Sequence, residues 1–310
     1  IASLSASQTT DGFGNVDIQF TADDFNDEDT VRAKVEYKAG ADCSSGTSDP
    51  TMDEANGSTT ATHGDPDVDN ANEYQIGNAG GGWILTSPGA NVINTIWNSA
   101  TDVPAANATY CARVTAHDGT DAGSPVDATF TLDNVDPVSA GNLAIDSRTT
   151  GSLTYTLGLA GTDTNLNNYK THYKAGAASV AESDTLNDTI ASGAYTPGNT
   201  TSINTLNTNT QYVTNIWTYD NFGNKANATE VTNYTAAAVP GVSTIDIPAT
   251  DSLNVTLDVN ANPASTEFSI QETNSTNYVQ ADGSLGAGEI WQDNATWGTT
   301  TATGLDSNTE

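Results

Sequence analysis

The chain has 310 residues, enough for two or three small domains, and 39 acidic against 8 basic side chains give it a net charge near −31. A surplus of that size repels nucleic acid and anionic membrane surfaces, so neither is an expected partner. No apolar run is long enough to cross a bilayer, which argues against membrane insertion of this segment.

Asp supplies most of the acids. Glu is the better helix former, so this bias points to turn-rich β-structure, to calcium-binding loops, or to both. The chain opens at Ile1 with no initiator Met and no charged-then-apolar leader, and it reads as a mature or excised piece.

IASLSAS (1–7) serves as an opening strand, and VDIQFT (16–21) gives the first clear strand pattern. DDFNDED then places Asp23, Asp24, Asn26, Asp27 and Asp29 in a loop between two strands. This is a candidate calcium site, because hard cations want several oxygens from a short turn; a solvated acidic loop is the plainer alternative. In VRAKVEYK, Val31, Ala33, Val35 and Tyr37 share one face, and Arg32, Lys34, Glu36 and Lys38 share the other. That period of two is a half-buried strand.

GDPDVDNANE (64–73) sets Asp65, Asp67 and Asp69 at alternate positions, with Asn70, Asn72 and Glu73 behind them, and is a second candidate calcium loop. It is not an EF-hand, which needs Gly at the sixth position and Glu at the twelfth, where this chain has Asn70 and Ile76. AGGGWILTSPG, around Trp83, is where a glycan-binding loop would be sought. Tyr110, Ala112, Val114 and Ala116 form another inward row, with Cys111, Arg113 and Thr115 outward. Cys43 and Cys111 are the two cysteines of a long polar chain and read as one extracellular disulfide between neighbouring strands. Closing a loop of about seventy residues is worth roughly 4 kcal/mol in chain-entropy terms.

Internal repetition orders the rest. KVEYKAG (34–40) returns as KTHYKAG (170–176), and ATYCARVTAHDGTDAGS (108–124) returns as TQYVTNIWTYDNFGNKA (210–226). Each member of the second pair keeps a Tyr and, eight residues on, an Asp. SLTYTL (152–157) and SLNVTL (252–257) open the second and third copies, preceded by VDPVSAG and VPGVSTI, whose prolines suit an extended joint. Tyr212, Thr214, Ile216 and Thr218 repeat the inward row, and no stretch carries a helical stripe. Short strands punctuated by Gly, Asn and Asp predict packed antiparallel sheets.

This arrangement resembles tandem fibronectin type III and related immunoglobulin-like repeats of bacterial extracellular surface proteins. The residues that carry the resemblance are Leu206, Tyr212, Asp220 and NFGN in the second copy, and NPASTEFSIQE and WGTTTATGLDSNTE in the third. The first copy departs most, since YKAG stands about twice as far from its Tyr as in the second. The resemblance implies an all-β fold of three tandem sandwiches. These are 1–136, with a long insertion and the disulfide, then 137–239, then 240–310. Aligning Leu305 with Leu206 puts the next Tyr just past Glu310. The third sandwich is therefore expected to lack its last two strands, which would follow in a longer chain or come from a neighbour.

No His or Ser stands in a catalytic motif, and carboxylate pairs are too common to single one out, so no catalytic residue is assigned and no enzyme is expected. Glycosylation sequons occur at Asn56, Asn107, Asn187, Asn199, Asn227, Asn233, Asn254, Asn274 and Asn294. A chain this rich in Asn, Ser and Thr yields about that many by chance, so glycosylation is expected only on grounds of compartment. Arg32, Lys34, Lys38, Lys170 and Lys174 lie on the outward face of one strand in two copies, and Trp217 and Tyr219 point outward from its neighbour. The stripe is a candidate assembly contact; the plainer reading is lysine guarding a sheet against pairing.

These readings converge on a structural repeat segment of an extracellular or cell-surface stalk, fibre or filament, whose partners are other copies or repeats of the same protein. Two alternatives stand beside it: an adhesin or glycan-binding module that takes surface glycans, and spacer domains of a secreted enzyme. Calcium is the one cofactor the residues suggest.

Overall fold

Alternating apolar positions build the first sandwich. In the computed structural model, which describes residues 1–23, 30–55, 58–59, 67–77, 84–85 and 91–307, this part holds eight strands. They are β1 (Ser3–Gln8), β2 (Asn15–Ala22), β3 (Thr30–Ala39), β4 (Ser58–Thr59), β5 (Ile84–Leu85), β6 (Asn91–Asn98), β7 (Asn107–His117) and β8 (Val126–Asp133). One sheet runs β1-β2-β6-β4 and the other β5-β3-β7-β8. This is the partition of an immunoglobulin-type sandwich, with first, second and fifth main strands facing third, sixth and seventh. Val16, Ile18 and Phe20 of β2 meet Val31, Ala33 and Val35 of β3 and Ala112 and Val114 of β7 in one buried cluster. Trp97 of β6 is fully buried there, stacked on Tyr37 with ring centroids 4.4 Å apart. Its Nε1 donates to Asp102 Oδ2 at 2.6 Å, in the one-turn helix α1 (Ser99–Asp102), so the indole keeps a partner inside the core.

The second sandwich holds β9 (Ala144–Arg148), β10 (Leu153–Thr156), β11 (Leu166–Ala175), β12 (Thr185–Ala191), β13 (Thr200–Ile203), β14 (Gln211–Asp220), β15 (Lys225–Asn227) and β16 (Val231–Tyr234). Its sheets run β13-β10-β9 and β12-β11-β14-β15, with β16 also on β14. The repeated inward row of β14 is buried, and Tyr212 and Ile216 join Tyr155 and Tyr169 in the core. The Tyr212 hydroxyl accepts from the Asn207 N–H at 3.0 Å. This is a tyrosine corner, which pins the start of a strand to the turn before it.

The third unit has β17 (Thr244–Asp246), β18 (Ser252–Thr256), β19 (Glu267–Phe268), β20 (Tyr278–Val279), β21 (Leu285–Gly286), β22 (Gln292–Asp293), the one-turn helix α2 (Asn294–Trp297) and β23 (Thr299–Thr303). One sheet is β17-β18-β23, and the opposite side is made of the pairs β19-β22 and β20-β21. In the second sandwich β11 is paired on both edges; here β19 pairs β22 alone, and no strand among the described residues occupies the place of β14. Leu253, Val255, Ile270, Val279, Leu285 and Leu305 line the apolar groove left open. Among the described residues the third sandwich is incomplete.

Candidate functional site

The densest polar chemistry lies where the first two sandwiches meet. The turn between β1 and β2 presses on the turn between β14 and β15, and the Gly12 N–H donates to the Phe222 carbonyl at 3.0 Å. Both turns need glycine. Gly12 and Gly223 have φ of +77° and +87°, and a Cβ on Gly223 would lie 2.4 Å from the Thr10 carbonyl oxygen. A Cβ on Gly12 would lie 2.5 Å from the Gly223 carbonyl oxygen. Only bare backbone in left-handed conformation approaches this closely.

Beside this contact, Asp133 ends β8 and Asp220 ends β14, while Asp163 sits in the loop before β11. Carboxylate oxygens of the three lie within 4.8 Å of one another. Asp133 is 0% exposed and Asp220 2% exposed, and Asp163 is half-buried. Neutral amides hold them: Asn165 Nδ2 donates to Asp133 Oδ2 at 2.8 Å, and Asn224 Nδ2 donates to Asp220 Oδ2 at 2.7 Å. The same Asn224 nitrogen reaches the Asp133 carbonyl at 2.8 Å, and the Lys225 N–H donates to Asp136 Oδ1 at 3.3 Å, so both bonds cross between sandwiches. Gln8 fixes the back of the site, donating from Nε2 to the Asp133 carbonyl and accepting the Asp133 N–H at Oε1. Burial pushes the Asp220 carboxyl above the usual carboxylate range against the hydrogen bonds from Asn224 and Phe222, and the charge of Asp133 adds to the rise.

No Lys, Arg or His among the described residues forms an ion pair with these three carboxylates. The cations are engaged elsewhere: Lys34 with Glu36 and Asp49, Arg113 with Asp127, Lys174 with Asp184, and Lys225 with Glu182. Chemically the joint is a set of buried oxygens with a surplus of negative charge. The sequence reading passed over it, taking Asp220 only as a repeat marker and giving Asp133 and Asp163 no role. The available signal was the same acid–amide pairing in three places: LDN at 132–134, TDTN at 162–165 and YDN at 219–221.

The second joint is built differently. Asn262 of the third unit clamps the connecting chain, accepting the Ala238 N–H at 2.9 Å and donating to the Ala238 carbonyl at 2.8 Å. Asn209 Nδ2 donates to Thr266 Oγ1 at 2.8 Å, and Asn260 Nδ2 donates to the Val239 carbonyl at 3.0 Å.

The sites expected from sequence are placed as follows. Cys43 and Cys111 form a disulfide. Cys111 does project from the outer face of β7, but it is fully buried rather than open to solvent, because the bond and Cys43 cover it. Trp217 and Tyr219 need a like correction. They do face away from the core, yet they are only 8% and 7% exposed, packed with Val180 and Val213 in a cluster of their own. The Tyr219 hydroxyl donates to Glu182, and burial together with that carboxylate pushes its pKa upward. The aromatic flank of the basic stripe is therefore not available as a contact surface. The stripe's lysines are also engaged within the chain: Lys170 lies over the Tyr219 ring at 4.3 Å, Lys38 donates to the Ser45 carbonyl at 2.6 Å, and Lys34 and Lys174 are in the ion pairs above.

Of the calcium candidates, Asp24, Asp27 and Asp65 lie outside the described residues, as do Asn56 and Trp83. Asp23 and Asp67 are exposed, and Asp69 caps its own turn, with Oδ1 accepting the Ala71 N–H and Oδ2 accepting from Asn72. Neither Asp67 nor Asp69 joins a group of three converging ligands among the described residues. The sequon side chains Asn107, Asn199, Asn227 and Asn274 are exposed, and Asn187, Asn233, Asn254 and Asn294 are half-buried. Asn187 Nδ2 is engaged with Thr171 and Thr201.

No protein-family model and no curated protein matches the chain. Among solved structures, it is similar to the FN1-FN3 domains of chicken CNTN1 at 10% identity and a TM-score of 0.42, covering 76% of this chain and 66% of that one. It is also similar to a set of domains from titin at 12% identity and a TM-score of 0.36, covering 74% of this chain and 61% of that one. A structure titled as a myokine matches at 12% identity and a TM-score of 0.24, covering 33% of this chain and 99% of that one.

Proposed function

We propose that the chain is a structural repeat segment of an extracellular or cell-surface stalk, fibre or filament, working beside other copies or repeats of the same protein. The observation that carries this reading is the first joint, where backbone meets backbone at Gly12 and Gly223 and the amide of Asn224 reaches across to Asp133. A spacer that floats between functional modules needs no such fit; a strut does, because its stiffness is the sum of nearest-neighbour contacts. The disulfide supports an oxidising compartment. The charge near −31 supports a role in which solubility and mutual repulsion matter more than contact with acidic partners.

Small-angle scattering from the full chain tests the reading. Strands of about ten residues at ~3.4 Å each make one sandwich roughly 34 Å long, so three end to end form a rod of about 100 Å. Its radius of gyration is about 29 Å, against about 19 Å for a compact globule of this length. A value near the globular figure, unchanged by dilution, refutes a strut.

A further inference from the structure

We propose that Asp133, Asp163 and Asp220 form a binding site for a hard divalent cation, of the calcium class, that holds the first two sandwiches together. The first support is geometric. The three carboxylates come from both sandwiches, and their oxygens lie within 4.8 Å of one another. Oxygens that share a calcium ion bond it at about 2.4 Å, so any two of them stand no more than about 4.8 Å apart.

The second support is buried negative charge with no cationic side chain beside it. Asp133 and Asp220 are both more than nine-tenths buried, both point into the same space, and neither meets a cationic side chain. Buried charges in proteins are paired or coordinate metals. The side-chain amides of Asn165 and Asn224 and the backbone N–H groups of Val135, Phe222 and Asn224 satisfy lone pairs but supply no positive charge. Left alone, two like charges across a domain boundary push it apart, yet here the boundary is closed to backbone contact at Gly12 and Gly223.

The donor set selects the ion. It offers carboxylate oxygens and no sulfur or imidazole, which suits calcium and not zinc or copper. The site does not rest on the stalk reading, since it belongs to the contact between these two sandwiches whatever protein carries them. Binding can fail while the scattering still shows a rod, and the reverse.

The test uses the full chain, stripped with a chelator and then titrated with calcium chloride, with magnesium chloride in parallel. Calorimetric unfolding is expected to show the transition of the first two sandwiches rise by about 5 °C or more at millimolar calcium, and by much less with magnesium. Asp163→Asn, at the half-buried and therefore safest position, is expected to abolish that rise and to bind one fewer calcium per chain by isothermal titration. Asp133→Asn and Asp220→Asn are expected to do the same if they fold; if they do not, Asp163→Asn carries the test. An unmoved wild-type transition overturns the proposal. A full response that survives in Asp163→Asn also overturns it, placing the ion in another acidic loop. So does a joint that tightens on acidification and ignores calcium, because a proton shared by the buried pair then neutralises the charge.

Discussion

Replacing Gly223 with Ala should open the first joint, and a second glycine provides the control. Gly198 has the same φ of +87°, in the same sandwich, but a Cβ there meets nothing within 4 Å. Both substitutions force an L-residue into left-handed backbone, at about 1 kcal/mol, and both narrow the unfolded chain to the same degree. Only Gly223→Ala adds a clash, with its Cβ 2.4 Å from the Thr10 carbonyl oxygen and 2.7 Å from the Gly12 nitrogen. Those are backbone atoms that cannot swing aside. Relieving the clash moves the turns apart by about 1 Å and breaks the bond from Gly12 to Phe222 and the one from Asn224 to Asp133, each worth about 1 kcal/mol net. Gly198→Ala should thus cost about 1 kcal/mol and Gly223→Ala about 3 kcal/mol. For a domain of this size, that separates their melting temperatures by roughly 10 °C in calorimetry. Scattering should show a broader range of inter-domain angles for Gly223→Ala alone. Equal melting temperatures with identical scattering would refute the idea that the joint is a close backbone contact.

Removing the disulfide by Cys43→Ala with Cys111→Ala, a closure spanning 68 positions, should destabilise the first sandwich by up to about 4 kcal/mol and leave the second unmoved in calorimetry. Equal losses in both would mean that the bond acts across the joint. Burial, reinforced by Tyr169, pushes the Tyr195 phenol up to about 12. The unfolded chain ionises this group near pH 10 and the folded one does not, so its stabilisation is complete below pH 10 and is lost as the pH rises toward 12. Tyr195→Phe should flatten stability against pH in that window, and an unchanged slope would show that Tyr195 is not the group responsible.

Much of the fold was legible because strands announce themselves by alternation. Val31, Ala33 and Val35 had to share a face, and the Tyr-to-Asp spacing marked the same strand in two copies, now β7 and β14. The expectation that the third unit lacks its last two strands came from the same source, since Leu305 stands where Leu206 does, and among its described residues no strand takes the place of β14. What alternation gives is a face and not its exposure. Trp217 and Tyr219 lie on the outer face, as their phase requires, but Val180 and Glu182 cover them from the segment after β11, and no local pattern announces that cover. Cys111 likewise lies on the outer face and is covered, there by the disulfide to Cys43. The joint was harder still, because Asp133, Asp163 and Asp220 are ordinary acids in a chain full of them. Only the docking of one sandwich on the next gathers them, and that depends on two glycines far apart in sequence.

The two joints differ for a reason that lies in the topology. At the first, the turn between β14 and β15 reaches back past its own sandwich and presses on the one before it. The equivalent turn of the first sandwich, at Asp118, is exposed at the opposite end, where Asp118 takes the N–H groups of Thr120 and Asp121 instead of facing another domain. At the second joint that turn has no counterpart among the described residues, because the third unit has no strand in the place of β14. Contact there falls to the loop at 258–266, whose asparagines grip the connecting chain through side-chain amides, while Val239 and Val242 stay exposed. In an array of such sandwiches, the strand in the place of β14 thus completes its own core and also carries the turn that meets the preceding repeat.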